Sequence, residues 1–156
     1  MKTRFTLAFG ALALALPGTA LAKGPPFAKI TGPGLSAPIT FRGSGEQPGT
    51  KLGDFVDLAG FFPAVFKRQP DPMLRRAPTN ALGPRYTVVY RVPMGAVQDA
   101  IVRQSVYPYA HGGPVTYTRP GQRMAGAHTV RGGWFRALRS LKTMLVAAGL
   151  PARAPR

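Results

Sequence analysis

Between Tyr86 and Thr118 apolar and polar positions alternate in twos, and Pro and Gly cut the run into short pieces. Tyr86, Val88, Tyr90 and Val92 alternate with Thr87, Val89 and Arg91, the pattern of a half-buried strand. Pro93 to Asp99 predicts a turn. Ala100 to Tyr107 predicts a second strand, with Ile101, Arg103, Ser105 and Tyr107 on one side and Val102, Gln104 and Val106 on the other. Tyr107 to Pro114 reads as a corner. Val115 to Thr118 is a third strand, stopped by Pro120-Gly121. So dense a run of β-branched and aromatic residues predicts an antiparallel meander.

The same patterning extends to either side. Phe27 to Thr31 and Pro38 to Arg42 read as short strands joined through the turn Gly32-Pro33-Gly34. Gly43 to Gly53 is a polar, Gly-rich loop. Asp54 is placed to cap a short helix, with Asp57 in its first turn and Phe55, Leu58, Ala59 and Phe62 along one face; Pro63 ends or kinks it. Phe61, Phe62 and Phe66, followed by Lys67 and Arg68, admit two uses: a membrane-inserting knob with a basic collar, or core aromatics. Core filling is the ordinary use and is adopted here. Lys67 to Pro84 holds four prolines and is expected to be a long loop, as is Met124 to Gly133. From Trp134 to Ala148 the residues Trp134, Leu138, Leu141, Leu145 and Ala148 form a stripe at helical spacing, and Gly149 and Pro151 stop it. The expected fold is α+β. A single domain, residues 23–150, holds an antiparallel sheet of about five short strands, with the C-terminal amphipathic helix packed on it and a short apolar helix before the meander. The tail 151–156 is expected to be disordered.

The first residues change the compartment. Lys2 and Arg4 precede a mostly apolar run, Phe5 to Leu16, broken by Pro17-Gly18 and followed by the small-residue site Ala20-Leu21-Ala22. This is the pattern of a secretory signal peptide, 1–22, cleaved after Ala22, although an uncleaved anchor is the competing reading. No paired Arg precedes the apolar run, so the general export route is expected. No later apolar run is long enough to span a membrane. The sequence has no Cys, which excludes thiolate catalysis, Cys-based zinc sites and disulfides.

Charge changes the expected partners. Without Lys2 and Arg4 the chain carries 19 basic residues against five acids, a net of +14. An exported surface of this sign meets anionic lipid headgroups and acidic wall polymers. The basic residues are scattered, apart from Lys67-Arg68 and Arg75-Arg76, and a composition rich in Arg, Ala, Gly and Pro is also what a GC-rich genome encodes. Aromatics interleave with Arg at Arg85-Tyr86, Tyr90-Arg91 and Tyr117-Thr118-Arg119, which suits base stacking, but export argues against nucleic acid as the main partner.

Catalytic chemistry finds little footing. His111-Gly112-Gly113 is similar to the oxyanion segment of lipases, yet no Gly-x-Ser-x-Gly elbow follows. His111 and His128 lack metal-ligand spacing, and no metal or cofactor is implied. Asp54 and Asp57 read better as first-turn helix residues than as a glycosidase pair. Two functional classes therefore stand. One is a non-catalytic envelope or extracellular domain that binds an anionic component or partner protein through Tyr107, Tyr109, His111, Tyr117 and Arg119. The other is a small secreted hydrolase using His111 or His128 with an Asp.

Several longer segments carry a resemblance. They are ITGPGL (30–35), LAGFFPAVF (58–66), LGPRYTVVY (82–90), VYPYA with HGGPVTYTRPGQ (106–122), GGWFRA (132–137) and AAGLP (147–151). Together they resemble a group of small exported proteins of actinobacteria with similar ITGPGL, LYPYA, PVTYT-PGQ and GWF segments. The likeness covers most of the chain beyond the leader. It implies export and a single compact domain, and it brings no activity and no catalytic residues to carry over.

Overall fold

A computed structural model of the chain describes residues 24–94, 97–124 and 128–155. The expected signal peptide lies outside them. The described chain is α+β, as expected, and its strands form a single antiparallel sheet. The strands are β1 (Phe27–Thr31), β2 (Ile39–Arg42), β3 (Met73–Leu74), β4 (Tyr86–Met94), β5 (Val97–Tyr107), β6 (Val115–Thr118) and β7 (Gly133–Arg136). They lie in the order β2-β1-β4-β5-β6-β7-β3, so the sheet has seven strands rather than about five. The helices are α1 (Lys51–Leu58), α2 (Phe61–Val65) and α3 (Arg139–Ala147).

The meander is β4, β5 and β6, and its alternation sets the two faces. Tyr86, Val88, Tyr90 and Val92 are buried, as are Val102, Gln104 and Val106 opposite them. Ala28, Ile30, Ile39 and Phe41 continue this inner face onto β1 and β2. The expected turn at Pro93 to Asp99 is shorter than the sequence suggested. β4 runs on through Met94 and β5 begins at Val97, because cross-strand pairing continues past Pro93 with a register shift between Val92 and Met94.

The helices cover the inner face. Thr50, not Asp54, caps α1: its hydroxyl accepts from the Gly53 N–H at 3.0 Å. Asp54 lies in the first turn and accepts from the Gly49 N–H at 2.8 Å. Leu52, Phe55, Val56 and Ala59 are buried. Phe55 stacks between Phe41 (5.0 Å between ring centroids) and Tyr90 (6.1 Å). Each large apolar side chain fully buried in this way contributes about 1.5–3 kcal/mol.

Gly60 separates α1 from α2. Its φ is +68°, and a Cβ there would stand 2.3 Å from the Phe135 ring. The helix expected to end or kink at Pro63 therefore breaks three residues earlier. Pro63 falls in the first turn of α2, where its missing N–H costs nothing. Phe61 is buried, with its ring 4.6 Å from that of Tyr90, which places it in the core; of the three candidate knob aromatics only Phe66 is exposed.

The largest correction concerns Trp134. The stripe from Trp134 to Ala148 predicted one helix, but Gly133–Arg136 is strand β7 and the helix begins at Arg139. Gly132 and Gly133 have φ of +71° and +124°, which helix geometry forbids, and Trp and Phe fit a pleated surface. The segment pairs with β6 on one side and with the two-residue β3 on the other, a strand inside the stretch expected to be loop. Leu141 and Leu145 still point into the core, while Leu138, counted in the stripe, is exposed. α3 lies chiefly against α1, on the same side of the sheet. Residues 151–155, expected to be disordered, lie against the β1–β2 turn: Pro151 and Pro155 flank Gly34, and the Pro151 carbonyl accepts a hydrogen bond from Tyr109.

Candidate functional site

With α1 and α2 packed on the inner face, the opposite face of the sheet has none of the described helices over it. Strand parity decides what it displays. Pairing runs one row across six strands, Thr31–Thr87–Ser105–Tyr117–Trp134–Leu74, and a second across four, Arg42–Phe27–Arg91–Ile101. Lys29 and Arg103 flank Val89 between these rows, and Arg136 pairs with Val115 beyond them. All five of these cations are exposed, and so is Ile101. Asp99, near the start of β5, is the one acid of the described strands on this side.

Two aromatic groups organise the face. Trp134 lies 4.7 Å from the Tyr117 ring and 5.8 Å from the Tyr107 ring, centroid to centroid, so three adjacent strands, β5, β6 and β7, present three half-exposed aromatic rings. At the other end Arg42 and Arg91 stand over the Phe27 ring, at 4.9 and 5.6 Å. At the rim, Gln122 completes β5 beyond the end of β6. Its side chain accepts from the Arg103 N–H at 2.7 Å and donates to the Arg103 carbonyl at 2.8 Å, in place of a neighbouring strand.

The five residues singled out from the sequence therefore divide. Tyr107 and Tyr117 share the outer face. Tyr109 turns to the other side, where it packs 6.2 Å from the Tyr86 ring, carries Lys142 over its own ring at 4.9 Å and donates to the Pro151 carbonyl. Burial, with the neighbouring Tyr86 hydroxyl adding to it, raises the Tyr109 pKa above the ordinary tyrosine value. Tyr109 thus fastens the corner to the C-terminal segment. His111 is exposed and is held through its backbone: its N–H donates to the Ala81 carbonyl at 2.9 Å. Arg119 is exposed in the turn after β6, where its carbonyl accepts from Gln122 at 3.0 Å. Trp134, Arg91, Arg103 and Arg136 belong to the face and were not singled out. The alternation of β4 and β5 carried the signal for Arg91 and Arg103.

Among the described residues no ion pair joins His111 or His128 to a carboxylate, and no three His, Asp or Glu side chains converge. Asp54 and Asp57 line a separate groove between α1 and α3 with Ser140 and Thr143, and no histidine lines it. The ion pair found in the described chain is Arg131 with Asp71, a forked contact. Its hydrogen bonds hold the Asp71 carboxyl below the usual range and raise the Arg131 guanidinium. Asp71 also accepts from the Met73 N–H at 3.0 Å, so the pair fixes the approach to β3. None of the described helices is long and apolar enough to cross a membrane. Compared with family models, with curated proteins and with solved structures, the chain matches none of them.

Proposed function

We propose that the protein is exported and acts outside the cytoplasm as a non-catalytic domain that holds an anionic envelope component, a wall polymer or lipid headgroup, on the open face of its sheet. One observation carries this reading: Lys29, Arg42, Arg91, Arg103 and Arg136 project from a single face, clear of the described helices, with Tyr107, Tyr117 and Trp134 among them. Exposed cations with no carboxylate partner among the described residues attract polyanions at long range, and half-exposed rings add contact area that water does not screen. The leader and its Ala20-Leu21-Ala22 site supply the route outward.

The test is sedimentation of the purified protein with anionic liposomes and with isolated cell wall, in 0.02 and in about 1 M salt. The Debye length falls to about 3 Å at 1 M, so binding through this face is expected at low salt and lost at high salt. A protein that stays in the supernatant at low salt with both preparations does not act this way. N-terminal sequencing of the protein from culture medium, expected to begin at Lys23, tests the export step.

A further inference from the structure

The outer face ends in a cleft whose chemistry is narrower than that of the face. The segment that follows β3 crosses the end of the sheet as a strap, and between this strap and β7 lies a cleft of about 520 Å³. Arg75, Arg76 and Arg136 line it together with Thr79 and Asn80, and among the described residues no acidic side chain lines it. The strap is fixed from two sides. Leu74 pairs with Trp134 immediately before Arg75, while Ala81 and Asn80 bond the backbone of His111 at 2.9 and 3.5 Å. Arg136 and Asn80 converge on one point beside Gly112, at 3.9 and 3.7 Å from where a Cβ would stand. Among the described residues no carboxylate pairs with any of the three arginines.

Three unpaired guanidiniums around a concave site cannot be satisfied by one another. Each is a rigid fork of donors that matches the oxygens of a phosphate, and the nearby amide and hydroxyl add neutral partners. The volume exceeds what one inorganic phosphate needs and suits a small ligand. Leu74, which lines the cleft, is the strand partner of Trp134, so a polyol or sugar unit attached to the phosphate would lie next to the aromatic group.

We propose that the Arg75–Arg76–Arg136 cleft is a specific site for a phosphorylated polyol or sugar unit. This rests on the reading that the basic face holds an envelope anion, and it names the group recognised and where. A polymer of glycerol phosphate and a phosphatidylglycerol headgroup present the same chemistry, so the experiment separates them.

Binding of sn-glycerol 3-phosphate is measured by NMR titration of the full chain. Short poly(glycerol phosphate), phosphatidylglycerol vesicles and a single-stranded oligonucleotide are measured in parallel. Glycerol phosphate is expected to shift the signals of residues 75–80 and 136, and glycerol to leave them unmoved. Arg136→Gln and Arg75→Gln/Arg76→Gln are each expected to weaken binding tenfold or more, and Arg136→Lys to weaken it less. Lys51→Gln/Arg153→Gln, in α1 and the C-terminal segment and outside both the face and the cleft, is expected to stay within twofold. All the substituted side chains are exposed, and thermal melts confirm that each variant folds. Stronger binding to the polymer than to vesicles assigns the wall source, and the reverse assigns the lipid. If wild type ignores glycerol phosphate, or if the cleft variants bind it as wild type does, the site is overturned. Sedimentation with vesicles or wall that only Arg42→Gln/Arg91→Gln abolishes would then leave the broader reading standing. Loss of all binding would sink both, and tighter binding to the oligonucleotide than to the polyol phosphates would overturn the ligand class.

Discussion

Replacing Gln104 with leucine removes the centre of a polar network buried under the sheet. Gln104 is 2% exposed. Its carboxamide oxygen accepts from the Tyr90 hydroxyl at 2.8 Å, and its amide donates to the Ala59 carbonyl at 3.0 Å and to the Thr118 hydroxyl at 3.1 Å. Thr116 also donates to the Ala59 carbonyl, at 2.8 Å. The network ties β4, β5 and β6 to the C-terminal end of α1, and among the described residues it leaves no buried side-chain polar atom without a partner. Leucine is close to Gln104 in size, so the substitution deletes hydrogen bonds rather than volume. Ala59 keeps Thr116, but the Tyr90 hydroxyl, fully buried, loses its acceptor. An orphaned buried polar group costs about 1–3 kcal/mol. Thr118 loses a donor and adds part of a second penalty, and leucine returns roughly 1 kcal/mol through its easier desolvation.

The expected net loss is about 1–3 kcal/mol, or roughly 3–15 °C in Tm for a domain of this size. The assay is urea unfolding followed by both far-ultraviolet circular dichroism and Trp134 fluorescence, with an unchanged m value confirming that the same surface unfolds. The double variant Tyr90→Phe/Gln104→Leu removes both partners at once. It should be more stable than the sum of the two single losses by about 1 kcal/mol or more. A Gln104→Leu midpoint at or above that of wild type, or strict additivity in the cycle, would refute the argument.

Gly60→Ala forces a side chain into the left-handed region and against Phe135; it should cost about 2–4 kcal/mol in urea unfolding, well beyond an exposed Gly49→Ala control. The Asp71 pKa is lowered below its ordinary 3.8 by Arg131, so the stabilisation it gives is present above that value and is lost as pH falls through the folded pKa; amide exchange at Met73 should quicken there in wild type and at all pH values in Asp71→Asn. Burial raises the Tyr90 pKa above 10, so stability should be full below pH 10 and fall above it, with a slope of about 1.4 kcal/mol per unit that Tyr90→Phe reduces. Trp134 is the single tryptophan and is half-exposed near Arg136, so iodide should quench its emission more than caesium does, and glycerol phosphate should suppress that difference.

Most of the fold was legible where one period operated alone. β4 and β5 alternate cleanly, and burial follows that alternation from Tyr86 through Val106. The sequence around Trp134 satisfies two periods at once. Trp134, Leu138, Leu141 and Leu145 fit a helix, while Trp134 and Arg136 fit the outer side of a strand with Phe135 on the inner. Hydrophobic spacing cannot choose between them. Gly132-Gly133 and the free edge of β6 decide for the strand, and of these only the glycines are visible in the chain order.

The site was less legible for a related reason. Alternation tells which side of a strand a residue takes, and pairing of β5 with β6 puts Tyr107 and Tyr117 on one face. It does not tell which strands are neighbours. The pairing of β3 with β7 brings Arg75 and Arg76, read as an isolated basic pair, beside Arg136, which falls in the stretch whose spacing predicts a helix. A two-residue strand in a proline-rich stretch has too short a pattern to announce that pairing, which is made stable by the Asp71–Arg131 clasp and by Trp134 packing. The cleft is thus a product of long-range register. A substitution that leaves all three arginines in place but frees β3, such as Asp71→Asn, should therefore weaken glycerol phosphate binding too. It would do so without removing a single positive charge from the chain, which separates an organised site from a merely basic surface.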